Sequence, residues 1–496
     1  MKHFPFFIAV LFTLCGCSDR TPKTDERPNF IVINVDELRW DALRVTGHPF
    51  VQTPNIDRLA KEGMLMKNSF VTTPLCGPSR CSTLSGQYVH THGLYKNTVD
   101  SGLTQRLITY PLLMQNAGYK TAFIGKWTTG RNADRTPHPG FDRWFCTGAN
   151  RDYKMNPTVN VDGVPTPFQG HATDIESDEA IRFIRENKDK PFSIDLWHRS
   201  VHTSYGTENL IASERNRNLY KDVPVPRAVS AQAYTGSSAE NRSALAPPPS
   251  DVPPALQNVH MKPPTDEDIR NISRMLTDID EGIGKLLKVL EEENILDKTV
   301  IIFTGDNGFF FGEHGLTEKR LAYEEAIRVP FIVRYPPLVH AGSVTTFPVL
   351  NIDIAPTILA MAGLPQQRQM DGASLVPVFK GGQLPNDART ALLFEFWPEA
   401  VHPKNGIKAW KALRTSDWKY VHWTEMEGAD ELYDLKNDPY EMHNLANDAR
   451  HEEVLTKMKA QLVQKMKDTG DPGTMLHVLQ SYARANEAGN KAPKKK

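Results

Sequence analysis

The chain is short of cysteine, of long apolar runs and of any excess of one charge. Lys and Arg number 58 against 59 Asp and Glu, a formal net charge of −1. This balance excludes a polyanion-coating protein, so nucleic acid is not an expected partner. An anionic substrate stays possible if positive charge is focused in a cleft. With 40% hydrophobic and 24% charged residues, a disordered chain is excluded too. No apolar stretch reaches the roughly 20 residues that a membrane-spanning helix needs. There is no internal repeat, and only five cysteines occur in 496 residues. The length fits two large domains or three of about 150 residues.

The first residues form a compact apolar segment. Met1-Lys2-His3 precedes Phe4 to Leu14, and Cys15-Gly16-Cys17-Ser18 follows. The segment reads as a signal h-region within a signal peptide of residues 1–16. Leu14-Cys15-Gly16-Cys17 resembles a bacterial lipobox, which would make Cys17 a lipidated first residue and 17–27 a polar tether; an ordinary signal peptide cut nearby is the alternative. Either way the expected protein is exported, to the periplasm, outer membrane or cell surface, with a lipid as its only membrane contact. Cys76, Cys81 and Cys146 then remain. An odd count in an exported protein points to one chemically altered cysteine, the other two pairing or staying reduced.

Beyond the tether, short β-branched runs alternate with helical patterns. Phe30–Val35, Thr121–Ile124, Phe192–Trp197 and Thr299–Thr304 suit strands buried on both faces of a parallel sheet. Between the last two, Ile272, Met275, Leu276, Ile279, Ile283, Leu286, Leu287 and Leu290 follow the helical period. The expected fold is α/β, a mixed and mostly parallel sheet flanked by helices, over 28–376. Residues 203–265 lose periodicity and carry proline pairs, reading as an insertion at the substrate rim. From 377 to 489 the pattern predicts a smaller α+β subdomain, an antiparallel sheet with one helix near Glu452–Met466, and 490–496 form a basic tail.

Each predicted strand runs into a polar end: Asp36-Glu37, Lys126, His198 with His202 beyond, and Asp306-Asn307. In open parallel sheets ligands bind past the carboxyl ends of the strands, so these ends define one candidate cleft. A second element joins them. In Pro74-Leu75-Cys76-Gly77-Pro78-Ser79-Arg80-Cys81-Ser82-Thr83-Leu84-Ser85-Gly86, Pro78 favours a first helical turn. Cys76 then lies at the positive end of a helix, an anion-holding position, with Arg80 one turn along. An ordinary thiol there would be an activated thiolate; a buried structural cysteine is the other reading.

This stretch resembles the type I sulfatase signature, Cys-x-Pro-Ser-Arg followed by four residues, Ser or Thr, and Gly. The resemblance runs in order from about Pro28 to about Gly470, through Asn34–Asp41, Gly125-Lys126-Trp127, Ser200-Val201-His202, Thr304–Gly308, Gly312–Leu316 with Lys319, and Tyr323–Pro330. It implies an alkaline phosphatase-like fold and hydrolysis of sulfate esters, here on a sulfated carbohydrate. It further implies that a formylglycine-generating or anaerobic sulfatase-maturating enzyme oxidises Cys76 to formylglycine. The hydrated aldehyde is then the nucleophile, and the covalent sulfate leaves by elimination. A phosphonate or phosphate diester hydrolase of the same superfamily, or a non-catalytic lipoprotein binding sulfated glycan, are the alternatives.

The residue types suit that chemistry. Asp36, Asp306 and Asn307, with Glu37, offer hard oxygens suited to Ca²⁺, and the absence of a His/Cys cluster disfavours zinc. The converted Cys76 would add an oxygen to the metal. The resemblance implies Asp306 as base, His202 and Lys319 on the leaving-group side, and Lys126 and Arg80 stabilising charge. Two positions depart from the family pattern. Thr128 stands where a histidine thought to assist elimination is usual, leaving a role open for another group such as His198, and Glu37 replaces an aspartate. His90, His92, His314 and His422 are expected to pack or to lie at the surface.

Overall fold

The computed structural model describes residues 26–97, 104–127, 136–147, 154–202, 211–231, 264–384, 389–398 and 407–473. The signal segment, Cys17, Thr128, most of the 203–265 insertion and the basic tail lie outside them.

The four strands read from the sequence are present as Asn29–Val35, Lys120–Gly125, Phe192–His198 and Thr299–Gly305. They run parallel and, with Arg143–Thr147, form the centre of a ten-stranded sheet. Flanking strands make it mixed: Phe331–Arg334 pairs antiparallel on one side, and the hairpin Thr158–Val161 with Val164–Pro167 closes the other edge. These outer strands are short and carry no long apolar run, which is why the sequence pattern did not reveal them.

Alternation along the central strands serves two cores. Ile31, Ile33, Leu196 and Phe303 face the long helix Asp266–Glu292 and the helix Ala172–Asn187; Val32, Trp197 and Ile302 face Leu84, Ile354 and Ile358. The long helix opens on a capping box, in which Thr265 Oγ1 accepts from Asp268 N at 3.1 Å and Asp268 Oδ2 accepts from Thr265 N at 2.8 Å. Three acidic residues in its first turn suit the helix dipole. The described part of the insertion packs on this helix: Ser213 N donates to Asp278 at 2.8 Å, and Arg227 pairs with Asp266.

A second, four-stranded antiparallel sheet comprises Leu392–Phe396, Trp410–Arg414, Trp418–Trp423 and Glu431–Asp434, accompanied by the helix Glu452–Asp468. One face covers Phe310, Leu316, Leu321, Tyr323 and Ile327 of the segment following the Thr299–Gly305 strand. No helix among the described residues is long and apolar enough to cross a membrane.

Candidate active site

Strand register builds the site. Val35 stands level with His198 on one side and Gly305 on the other, and Gly125 stands level with Trp197. The next residues stay in this row: Asp36 N donates to His198 O at 3.1 Å, Asp306 N to Val35 O at 3.3 Å, and Lys126 N to Trp197 O at 2.9 Å. Gly125 is required here. Its φ is +114°, and a Cβ would lie 2.1 Å from Trp197 O, so a side chain would push Lys126 out of the row.

The Cys76–Ser85 helix, buried along its whole length, lies against this row. Cys76 Sγ donates to Asp36 Oδ1 at 3.3 Å and accepts from Lys319 Nζ at 2.9 Å. Arg80, one turn on, donates from Nε to Asp306 Oδ2 at 2.7 Å, reaches Lys126 O and approaches Asp36 at 3.5 Å, with its guanidinium over the Trp197 ring. Lys126 donates to Asp36 and Lys319 to Glu37, while His202 Nε2 lies 3.2 Å from Glu37 Oε1. Glu37, at φ +60°, turns its own N–H onto Asp306 Oδ1 at 3.0 Å. The fold thus brings Asp36, Glu37, Cys76, Arg80, Lys126, His202, Asp306, Asn307 and Lys319 to one end of the sheet.

The charges divide the labour. Burial alone would raise the Asp36 carboxyl, but Lys126, His202, Arg80 and Lys319 together hold it well below the usual carboxylate range. Burial dominates at Glu37, which is raised despite Lys319, and at Asp306, raised also by Asp36 against Arg80. Burial and Lys126 keep the His202 imidazole well below its ordinary value. At Lys319 burial is outweighed by Cys76, Glu37, Asp36 and Asp306, so its ammonium keeps the proton.

Of the two readings of Cys76 the structure favours the buried cysteine, and the anion-holding helix end is corrected. The thiol of Cys76 is not activated, since burial and the Asp36 carboxylate push it up to about 12 against Lys126 and Lys319. The site is a desolvated pair of charge rows rather than an open helix end. Nor does the helix start present a free row of amides to an anion. Gly77 N donates to Asn97 Oδ1 at 2.8 Å, Ser79 N to Leu75 O at 2.9 Å, and Pro78 has no N–H. Positive charge at Cys76 comes from Lys319, Lys126 and Arg80 side chains instead.

The donors fit a hard cation. Asn307 Nδ2 is committed to Gly308 O at 2.8 Å, which leaves Oδ1 buried and, among the described residues, without a hydrogen-bond partner. With the Asp36, Glu37 and Asp306 carboxylates it supplies oxygen ligands of the kind that Mg²⁺ or Ca²⁺ takes. Ligand atoms of Asp36, Glu37, Cys76 and His202 lie within 4.8 Å of one another.

Several contributors had no sequence signal. Asn97 lies in a loop, and Lys154, which approaches His202 O at 3.5 Å and whose amine burial and Arg199 lower to about 7, lies outside any periodic stretch. Glu176 could have been found as a carboxylate on the buried face of its helix; it holds His198 Nδ1 at 2.7 Å and Thr147 at 2.9 Å. His198 Nε2 has no hydrogen-bond partner among the described residues. Cys81 and Cys146 are both buried. His90, His92 and His314 are buried, on Glu395, Ser82 and the Tyr323 ring, and His422 is exposed beside Asp430. From the insertion, Val225 and Arg227 line a cavity of about 340 Å³ that also touches Glu37, Val201, Trp40 and Tyr440.

Known proteins resemble this chain in sequence and fold. The sulfatase profile matches residues 28–364, and the N-sulphoglucosamine sulphohydrolase C-terminal profile matches 312–468. The chain is 30% identical to the N-acetylglucosamine-6-O-sulfatase of Bacteroides thetaiotaomicron, over 92% of this chain and 88% of that protein. It is 27% identical to the ulvan-active sulfatase of Formosa agariphila, over 94% and 87% of the two chains. Among solved structures, BT4656 in complex with its substrate D-glucosamine-2-N,6-O-disulfate superposes with a TM-score of 0.76 at 29% identity, covering 90% of this chain and 99% of that one.

Proposed function

The chain belongs to the sulfatase family and is a sulfuric ester hydrolase of alkaline phosphatase-like fold, and from that premise we propose that it removes sulfate from a sulfated glycan through formylglycine made from Cys76. The placement of Cys76 carries the reading: a cysteine too desolvated to act as a thiolate lies within hydrogen-bond reach of both Asp36 and Lys319. The glycan class rests on relatives named for N-acetylglucosamine 6-O-sulfate and ulvan.

Asp36, Glu37, Asp306 and Asn307 would hold Ca²⁺ together with an oxygen of converted Cys76; the ion would neutralise sulfate charge and orient the nucleophile. Asp306 takes the proton of the incoming hydroxyl. Arg80 and Glu37 N hold the two Asp306 oxygens in place for this. Lys126 and Lys319 supply fixed positive charge to the transferred sulfate. His202, 3.2 Å from Glu37, lies on the side of the departing alcohol together with Lys319.

Export as a lipoprotein through Cys17 is part of the proposal, supported by the apolar segment before it; fatty-acid labelling that disappears in Cys17→Ser is its test. Conversion of Cys76 by a maturating enzyme is tested by the mass of its peptide from the native host, which should show SH and H exchanged for a carbonyl oxygen. Sulfate release from N-acetylglucosamine 6-sulfate and from ulvan oligosaccharides tests the substrate class. Preference for an aryl phosphonate monoester over an aryl sulfate would overturn it.

A further inference from the structure

The C-terminal sheet holds the segment that carries Lys319. Both neighbours of Lys319 have left-handed backbone, Glu318 at φ +73° and Arg320 at φ +82°, and His314 earlier in the segment has φ +55°. Three non-glycine residues in that region store strain that the surroundings must balance. The balance comes from one face of the sheet. Trp410 stands opposite Trp423, and Arg414 opposite Lys419, so that Trp410, Arg414 and Lys419 lie on the same side. Trp410 Nε1 donates to Arg320 O at 2.9 Å, and Lys419 Nζ donates to Ala322 O at 2.9 Å. Arg414 and Lys419 both reach Glu324 at 2.9 Å, and Lys419 also reaches Glu441 at 2.6 Å. Glu324 N is in turn bonded to Glu441 at 2.9 Å.

Trp410 and Lys419 are fully buried, so each of these bonds is made where water cannot replace it. The carbonyl of the residue after Lys319 and the carbonyl two residues beyond that are thus pinned from two adjacent strands. Lys319 in turn meets Cys76 Sγ and Glu37. A shift of the segment would carry the ammonium away from the reacting position, and displacement of about 1 Å at a reacting group costs on the order of a hundredfold in rate.

We propose that Trp410, with Lys419, is a positioning residue for Lys319, so that the C-terminal sheet sets the geometry of the sulfate-transfer site rather than serving as a separate module. The inference rests on the reading of Lys319 as part of the reaction.

A double-mutant cycle on the full chain tests it, with kcat and KM measured on 4-nitrophenyl sulfate and on N-acetylglucosamine 6-sulfate. Trp410→Phe keeps an aromatic ring in place and removes the N–H together with part of the indole, as the control below does at another buried tryptophan. It should lower kcat by roughly ten- to a hundredfold while KM changes little. Lys319→Met should lower kcat at least as far, and Trp410→Phe should then add almost nothing in the Lys319→Met background, because its effect passes through that amine. Trp397→Phe is the control: it removes another buried indole N–H, which donates to Glu395 at 3.3 Å in the same subdomain, and should leave kcat unchanged. Lys419→Arg, which keeps a cation opposite Glu324 and Glu441, gives a second route should Trp410→Phe fold poorly, and should behave in the cycle as Trp410→Phe does. A full multiplicative loss from Trp410→Phe or Lys419→Arg in the Lys319→Met background overturns the proposal. Unchanged kcat in Lys319→Met alone overturns the role of Lys319 itself, a separate result.

Discussion

Lys319 donates to the sulfur of Cys76 at 2.9 Å, although 243 residues separate them in sequence. One belongs to a segment of left-handed turns under the C-terminal sheet, and the other opens a buried helix on the main sheet. The pair shows how the site is assembled: strand ends supply the acidic row, and two elements off the sheet bring Cys76 and the Lys319 ammonium onto it.

Burial makes the unconverted thiol of Cys76 inert. Pushed up to about 12, it is neutral near physiological pH, and only the thiolate alkylates readily. Native protein purified without conversion should therefore resist iodoacetamide and react once denatured. Rapid alkylation of Cys76 in the native fold would contradict the burial argument and revive a thiol-based enzyme.

Arg80 is the joint between the helix and the row. It is completely buried, paired to Asp306 at 2.7 Å and near Asp36 at 3.5 Å. Arg80→Met strips a buried carboxylate of its partner, which costs roughly 3–5 kcal/mol. Chemical denaturation should show that loss along with abolished turnover, whereas a surface pair such as Arg217 with Glu214 should contribute at most about 1 kcal/mol.

Much of this was legible before the fold was known, and the reason is geometric. The apolar runs before Asp36, Lys126, His198 and Asp306 are the central parallel strands, and parallel register places their next residues in one row. The cysteine signature announced its helix through Pro78. What stayed hidden depends on contacts between distant chain segments. Asn97 on Gly77 and Trp410 on Arg320 O follow no period and no spacing rule. The choice at Cys76 between an activated thiolate and a buried cysteine stayed open for a related cause: sequence shows which charges are nearby but not how dry the site is.

The orphaned Oδ1 of Asn307 should report the metal. Chelator treatment of the full chain is expected to abolish sulfate ester hydrolysis and lower the melting temperature, and added Ca²⁺ should restore both, since a ligand that binds only the folded state stabilises it. Asn307→Leu fills the same space without the oxygen. It should lose the calcium-dependent part of the melting temperature while keeping the chelated value close to that of the parent; an unchanged calcium response would remove Asn307 from the ligand set.

Asp195 should make stability fall as pH rises. It lies in the middle of the Phe192–His198 strand, entirely buried, with the Tyr110 hydroxyl donating to it. Burial raises its carboxyl from 3.8 to about 7, outweighing that hydrogen bond. Between these values the folded protein keeps a proton that the unfolded chain has released, so folding takes up a proton and stability declines with each pH step. The decline from this group begins above the unfolded value, runs up to the folded one and stops there. Asp195→Asn is neutral throughout and keeps an acceptor for Tyr110. Its stability relative to the parent, followed by denaturant unfolding, should therefore improve steadily as pH rises from about 4 to about 7 and level off above that. A difference that stays constant across this range would mean that Asp195 is ionised in the folded protein and that water or another donor solvates it within the sheet.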